Sequence, residues 1–240
     1  MFHVKHKRSE ISEYEFWDAS KLMDLFRQAE LFLSPEQVEA FRIYWLEILR
    51  WNKKIHLISR KDEKRIIERH FLESALLIYF EEINTAQQIM DLGSGAGFPG
   101  IPLKILKPEV KMTLLDSNRM KTLFLKKVVE KLRFQEVEII CDRVENLSKD
   151  KRFFQKFDNI LARAVAPIHK IYPFVEPLLK ESGCLTTMKG ENWETEIELL
   201  KKMNCKIQID IKTFPYSYLL KNENLKILFI KKASYERSSI

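Results

Sequence analysis

Glycine is scarce in this chain and is concentrated at one place. Only six of the 240 residues are glycine, and four of them lie in the stretch Asp91-Leu92-Gly93-Ser94-Gly95-Ala96-Gly97-Phe98-Pro99-Gly100. Glycine adopts positive φ and lets a ligand approach the backbone with no Cβ in the way. Pro99 suits the first turn of a helix, whose free N–H groups face the same ligand. The stretch predicts a ligand-binding loop between a strand and a helix.

The spacing of these glycines separates one kind of nucleotide ligand from another. A dinucleotide-binding loop needs Gly-x-Gly-x-x-Gly, and counting from Gly93 puts Phe98 at the third glycine position. The Lys-Ser/Thr pair of a phosphate-binding P-loop is also absent. One acid, Asp91, precedes the glycines, and a second, Asp116, ends the next apolar run, where it can accept hydrogen bonds from two ribose hydroxyls.

Two acids without a diphosphate cradle fit a nucleoside with a cationic amino-acid tail, and S-adenosylmethionine has that shape. Asp91 either reaches the amine of this cofactor or orients the loop. Dinucleotide binding, and a glycine turn that serves only packing, stay open as alternatives.

The elements around the loop indicate an α/β fold. After Asn84, short apolar runs alternate with helical segments. The connections between the early runs are long enough to contain crossover helices. We expect a parallel sheet covered on both faces, with the last two strands forming an antiparallel hairpin at its edge. The predicted strands are residues 88–92, 110–116, 137–141, 159–162, 184–188, 206–211 and 226–230.

The first third of the chain is predicted to be a small helical bundle. Residues 14–33 carry apolar side chains at helical spacing. Ser34, Pro35 and Gln37 form a capping box for a helix that runs to about Trp51. A further helix is predicted over residues 62–82. We therefore divide the chain into an N-terminal helical region, 1–85, and a cofactor-binding domain, 86–240.

Composition narrows the class of protein. Hydrophobic residues make up 45% and charged residues 31%, which excludes extensive disorder. No apolar run approaches the roughly 18–20 residues of a membrane span, and the first residues lack the apolar stretch of a signal peptide. Three cysteines without paired spacing encode neither a disulfide framework nor a zinc site. We expect a cytoplasmic protein without a metal or a membrane.

Positive charge is concentrated in two segments. The net charge is +7, and residues 50–70 hold eight basic against three acidic side chains. Residues 118–133 hold six basic against one acidic side chain. Such clusters are typical of a surface that binds RNA phosphates, although a solvated helix face has the same composition.

Several stretches together carry a resemblance to a known family. They occur in the family's order over roughly residues 35–230, and the extended Gly-Phe-Pro-Gly-Ile-Pro continuation of the loop is the most discriminating. The stretches are Trp51-Asn52-Lys53-Lys54, Arg69-His70, Asp91 to Pro102, Leu114-Leu115-Asp116-Ser117, Arg143-Val144-Glu145, Ala162-Arg163-Ala164-Val165-Ala166 and Met188-Lys189-Gly190. On these residues the chain resembles the bacterial 16S ribosomal RNA guanine-N7 methyltransferases, the RsmG or GidB family (glucose-inhibited division protein B).

The resemblance implies a fold and a reaction. The fold is a seven-stranded, Rossmann-like class I methyltransferase sheet with an N-terminal helical extension. The reaction moves a methyl group from S-adenosylmethionine to N7 of a guanine in the 16S rRNA of the small ribosomal subunit. N7 carries no proton, so no general base is needed. Two alternatives stay open, a methyltransferase of small molecules and a non-catalytic RNA-binding assembly factor. We expect a monomer.

The resemblance also implies roles for individual residues. Arg163 faces the methyl-transfer pocket as a positioning group, or else forms a structural ion pair at a strand end. The expected cofactor-binding residues are Gly93, Gly95, Gly97 and Phe98 along the methionine and sugar, Asp116 at the ribose, Val144 and Glu145 at the adenine, and Arg163. The expected RNA-binding residues are Lys53, Lys54, Arg69, His70, Arg119 and Arg143.

The chain departs from the family pattern at three places. Glu73 stands where the family usually has Asp, His56 stands where it usually has Asn, and residues 117–121 are one position out of register. We expect all three to lie away from the glycine loop. We expect them to affect RNA docking rather than the reaction.

Overall fold

The strands predicted from the sequence all form, and they build one sheet. The computed structural model describes residues 17–84, 87–203, 206–220 and 224–232. The strand order is β3-β2-β1-β4-β5-β7-β6. The strands are β1 (Gln88–Leu92), β2 (Lys111–Leu115), β3 (Val137–Ile140), β4 (Phe157–Arg163), β5 (Leu179–Lys189), β6 (Ile207–Thr213) and β7 (Lys226–Lys232).

Strand direction confirms the predicted sheet. The pairs formed among β1 to β5 are parallel, and β7 runs antiparallel to both β5 and β6. The edge hairpin of β6 and β7 is therefore present, and its connection contains a one-turn helix that the sequence pattern did not reveal.

The helix predicted from Ser34 to about Trp51 forms, whereas the helix predicted over residues 14–33 is shorter in the part of the chain that the structure describes. The capping box forms, because the Ser34 hydroxyl accepts a hydrogen bond from the Gln37 N–H and the Gln37 side chain accepts one from the Ser34 N–H. The helices are α1 (Ala19–Gln28), α2 (Pro35–Asn52), α3 (Arg60–Glu63), α4 (Glu73–Ala75) and α5 (Glu81–Asn84).

The single helix predicted over residues 62–82 is wrong. This stretch contains a π-helical segment, Ile67–Leu72, followed by α4, a 3₁₀ turn, Leu76–Tyr79, and α5. Apolar periodicity does not distinguish these forms, because α, π and 3₁₀ turns bring side chains to one face at similar spacings. The π-helical segment matters below, because it carries His70.

The two faces of the sheet are covered by different helices. Along β1, Ile89 packs on the face covered by the N-terminal helices, while Met90 and Leu92 pack on the opposite face. The remaining helices are α6 (Gly100–Leu106), α7 (Arg119–Lys131), α8 (Val144–Leu147), α9 (Ile168–Val175), α10 (Trp193–Lys202) and α11 (Ser217–Leu220). The described helices before residue 85 share one core with the first face, and the domain division at that residue stays a prediction.

The strand order creates a place where a ligand can bind. Parallel strands β1 and β4 are neighbours, with Leu92 beside Ala162, although β2 and β3 separate them in sequence. Connections from such a pair leave the sheet in opposite directions, which opens a crevice at the carboxyl ends of the strands. The glycine loop follows β1, and Arg163 ends β4, so both lie at this crevice.

Candidate active site

A cavity of about 530 Å³ lies at the carboxyl ends of β1, β4 and β5. This volume is within the range of small-molecule sites. The N-terminal region forms one wall of the cavity, and the glycine loop and the end of β4 form others. Six predicted site residues line it together: Gly93, Gly95, Phe98, Arg69, His70 and Arg163.

The other predicted cofactor residues lie outside this lining. Asp116 adjoins it, because its Oδ2 accepts a hydrogen bond of 2.8 Å from the Gly95 N–H, and its Oδ1 accepts one of 2.8 Å from the Asn118 N–H. Val144 is buried in the core of the opposite face and Glu145 is half-buried on α8. Their predicted roles at the ribose and the adenine stay predictions.

Four of the predicted RNA-binding residues are on the surface. Lys53, Lys54, Arg119 and Arg143 are exposed, and none of them lines the cavity. Arg69 and His70 instead stand in the cavity wall. The sequence analysis gives these six residues one role, and the structure places them in two kinds of environment.

The glycine loop is held from the N-terminal region. Gly97 has φ +92°, and a Cβ at this position would come 2.6 Å from Ile101 Cγ1 and 2.8 Å from the Tyr44 hydroxyl oxygen. Tyr44, on α2, is fully buried and donates a hydrogen bond to the carbonyl of Ala96. Sequence reasoning missed Tyr44, since its partner lies 52 positions away and no local motif marks it.

Asp91 is hydrogen-bonded to the glycine loop through one carboxylate oxygen, and its other oxygen has no partner among the described residues. The side chain is fully buried, and its Oδ2 accepts a hydrogen bond of 3.0 Å from the Gly100 N–H at the start of α6. Its Oδ1 has no hydrogen-bond partner among the described residues. Burial raises the pKa of this carboxyl to about 7. A cationic group beside Oδ1 would relieve that desolvation, so the site fits the ammonium of an amino-acid cofactor.

Arg163 is the centre of a buried polar cluster. Its Nη2 lies 3.1 Å from Glu73 Oε1, donates to the carbonyl of Arg69 at 3.2 Å, and lies 3.0 Å from His70 Nδ1. The ring of His70 stacks on Phe98, with the centroids 4.6 Å apart and the planes 15° apart. Arg163 therefore forms the ion pair that the sequence left open as an alternative, and it also lines the cavity.

Glu73 does not lie where we expected it. The sequence predicts a position away from the glycine loop, yet Glu73 lines the same cavity as that loop, and only 4% of its surface is exposed. The π-helical segment packs against Phe98 and brings this distant position to the loop. Burial raises the pKa of Glu73, and the Arg163 guanidinium opposes that rise. Burial also lowers the pKa of His70 to about 3, so its imidazole is neutral at pH 7.

Comparison with known proteins decides the family. The model of the rRNA small subunit methyltransferase G family matches residues 37–231. The chain belongs to this family. A relative from Thermoanaerobacter pseudethanolicus, named ribosomal RNA small subunit methyltransferase G, is 39% identical over 168 residues, which cover 70% of this chain and 70% of the relative. A relative of the same name from Carboxydothermus hydrogenoformans is 33% identical over 213 residues, which cover 89% of this chain and 90% of the relative.

Solved structures with lower identity share the fold. An S-adenosylmethionine-dependent methyltransferase from Aquifex aeolicus superposes with a TM-score of 0.52 at 17% identity, over 71% of this chain and 94% of that one. A ribosomal protein L11 methylase from Lactobacillus delbrueckii subsp. bulgaricus gives 0.51 at 19% identity, over 68% and 79%. The family match confirms the predicted family and, with it, S-adenosylmethionine as the cofactor. The solved structures confirm the predicted class I methyltransferase fold.

The described ranges contain neither a cluster of metal-binding side chains nor a membrane-spanning helix. There, no three His, Cys, Asp or Glu side chains are grouped so as to hold a metal ion. Within the same parts of the chain, no helix combines the length and the apolar character that crossing a bilayer requires.

Proposed function

We propose that this protein transfers the methyl group of S-adenosylmethionine to N7 of a guanine in the 16S rRNA of the small ribosomal subunit. Membership of the rRNA small subunit methyltransferase G family makes it an rRNA methyltransferase, as predicted. The N7 assignment is supported by the pairing of the carboxylates that line the cavity. Asp62 pairs with Arg69 at 3.3 Å, and Glu73 pairs with Arg163 at 3.1 Å. N7 has no proton to lose, and a site with both carboxylates committed to arginines suits such a nucleophile.

The cofactor, when bound, supplies a methyl group on a positively charged sulfur. We assign its amino-acid part to the glycine loop, with Asp91 Oδ1 taking the ammonium. Gly93, Gly95 and Gly97 keep the backbone open to it, and Phe98 covers one side. Asp116 would take the ribose hydroxyls with the lone pairs that its two backbone hydrogen bonds leave free.

The adenine part is assigned to Val144 and Glu145 on the resemblance alone. Val144 begins α8 immediately after β3, whose carboxyl end is next to that of β2. A base that extends from a ribose at Asp116 would run in this direction. This assignment is a proposal, since these two residues lie outside the described cavity lining.

The chain's contribution to the reaction is positioning. Arg163 cannot act as a base, because a guanidinium stays protonated at any physiological pH. Its ion pair with Glu73 and its contact with His70 hold it at the cavity wall. Fixing the base against the methyl donor supplies the rate enhancement, and alignment of this kind can contribute about 7–11 kcal/mol.

RNA binding is assigned to the exposed basic residues around the cavity. Lys53 and Lys54 follow α2, Arg119 begins α7, and Arg143 precedes α8. Each would contact a phosphate, and loss of one such contact lowers the slope of log affinity against log salt by about 1. We further propose that the protein acts as a monomer in the cytoplasm on the small subunit, which light scattering and fractionation would check.

Transfer of a labelled methyl group tests the proposal directly. Tritium-labelled S-adenosylmethionine is incubated with small subunits from cells that lack 7-methylguanine there, and the RNA is then treated with borohydride and aniline. Incorporated label with one new cleavage is the expected result. Label without cleavage would remove the N7 assignment. Absence of label, although the cofactor binds, would exclude the small subunit as the substrate.

A further inference from the structure

Three tyrosine rings form a row at the edge of the sheet, outside the cavity. The ring centroids of Tyr79 and Tyr216 are 5.6 Å apart, and those of Tyr216 and Tyr218 are 6.5 Å apart. Tyr218 is 65% exposed and Tyr79 is 40% exposed, so the row faces solvent at both of its ends. Scattered exposed rings are ordinary, whereas neighbouring ones indicate a contact surface.

The row of tyrosines is held in place from the end of α1. The Tyr79 hydroxyl donates a hydrogen bond to the carbonyl of Ala29. The Tyr216 hydroxyl donates one to the side chain of Glu30. Tyr216 also has φ +55°, a backbone conformation that costs free energy for a bulky residue. The polar ends of these two rings are therefore bonded within the protein, which fixes the rings and leaves contact with a ligand to their apolar faces.

A groove beside this row carries positive charge. It has a volume of about 580 Å³ and lies between Tyr79 and the end of β6. Lys212 and Lys226 line it, and its described lining contains no acidic residue. Lys212 is paired with Glu82 at 3.3 Å, whereas Lys226 forms no ion pair within the described ranges. The groove therefore offers a polyanion an unpaired cation next to aromatic rings.

The groove lies at the same end of the sheet as the cavity. Lys189 lines the cavity and Lys226 lines the groove, and these two residues are opposite each other in the β5–β7 pair. The helix that carries Tyr218, α11, packs against the π-helical segment in the cavity wall. The distance from β5 to β6 is two strand spacings, about 10 Å. About three stacked nucleotides, at roughly 3.4 Å each, would cover that distance.

We propose that the groove and the tyrosine row bind the unpaired nucleotides that flank the target guanine, with bases stacked on Tyr218 and Tyr79 and a phosphate on Lys226. This inference rests on the proposed function and adds a second contact with the same RNA. Taking a base out of its stack deprives the neighbouring bases of a partner, and tyrosine rings can replace it. Lysine is depleted at the core of protein interfaces, so the composition of the groove favours RNA over a protein.

Binding of single-stranded and double-stranded RNA, measured by fluorescence anisotropy, tests the stacking contact. Tyr218→Ala should weaken binding of a single-stranded RNA of about twelve nucleotides at least about fivefold, because a base loses the ring on which it stacks. Binding of a duplex of the same length should not change, since its bases are already stacked and paired. Tyr218→Phe keeps the ring and should bind the single strand like the unmodified protein. Phe154→Ala is the matched control, because this exposed ring precedes β4 at the opposite end of the sheet.

Salt dependence separates the role of the lysine from that of the rings. Lys226→Gln should reduce the slope of log affinity for the single strand against log salt by about 0.7, because one phosphate contact is lost. Tyr218→Ala should leave this slope unchanged, since stacking releases no counterions. Both proteins should bind S-adenosylhomocysteine like the unmodified protein, because neither side chain lines the cavity.

Methyl transfer to small subunits connects the groove to the reaction. Tyr218→Ala should raise KM for the subunit at least about threefold with little change in kcat, because the ring contacts flanking RNA and not the reacting atoms. Unchanged single-strand binding would overturn the inference, and with a raised KM it would indicate that the groove contacts a ribosomal protein. Equal weakening of single-strand and duplex binding would also overturn it. Absence of transfer by the unmodified protein would instead refute the proposed function, and with it the placement of the groove beside the target guanine.

Discussion

Removal of one hydroxyl group from the N-terminal region should weaken cofactor binding. Tyr44→Phe deletes the donor to the Ala96 carbonyl and keeps the ring that packs on Phe71 and Phe98. A buried hydrogen bond of this kind contributes about 1 kcal/mol net, and more when its partner is left unsatisfied. A loss of about 1–2 kcal/mol should lower the melting temperature of a chain of this length by roughly 2–8 °C.

Cofactor affinity distinguishes support of the loop from general packing. If the hydroxyl biases the glycine loop toward its binding conformation by about 1 kcal/mol, Tyr44→Phe should weaken S-adenosylhomocysteine binding by up to about fivefold in titration calorimetry. Tyr172→Phe is the control, because this buried tyrosine lies in the core of the opposite face. A Tyr44→Phe protein that melts lower but binds S-adenosylhomocysteine as tightly as the unmodified protein would refute the reasoning.

Three further predictions concern the same site. Gly97→Ala should abolish S-adenosylhomocysteine binding, because Gly97 has φ +92° and a Cβ there would come within 2.6 Å of Ile101; binding as tight as that of the unmodified protein would contradict this. Glu73→Gln should lower kcat about tenfold or more with little change in cofactor affinity, because it leaves the Arg163 charge unbalanced. Glu73→Asp should restore part of kcat. A change in cofactor affinity alone would argue against a role of Glu73 in positioning Arg163. The raised pKa of Asp91, about 7 against 3.8, gives stability that is present below pH 3.8 and lost as pH rises through 7. Between pH 4 and 7, the free energy of unfolding of Asp91→Asn should therefore rise relative to that of the unmodified protein by at most about 1.4 kcal/mol per pH unit, as measured by urea unfolding. A difference between the two proteins that does not change with pH would contradict this.

The cofactor loop could be predicted from the sequence because its determinants are local. Glycines at fixed spacing after an apolar run allow positive φ and an open backbone. Asp91 and Asp116 could be predicted to lie near this loop, because they stand at the carboxyl ends of two neighbouring strands. The strands themselves could be predicted, since each is a short apolar run bounded by polar residues. Periodicity failed over residues 62–82, where a π-helical segment replaces a regular helix.

The sequence by itself determined the seven strands, the start of α2 and the glycine loop, because each depends on neighbours within a few positions. Only the tertiary structure decided what surrounds that loop. Tyr44 meets Ala96, and Glu73 and His70 meet Arg163, across 52, 90 and 93 positions. Such contacts exist because the N-terminal helices pack on one face of the sheet, and the free energy of that packing comes from buried apolar area rather than from any spacing along the chain.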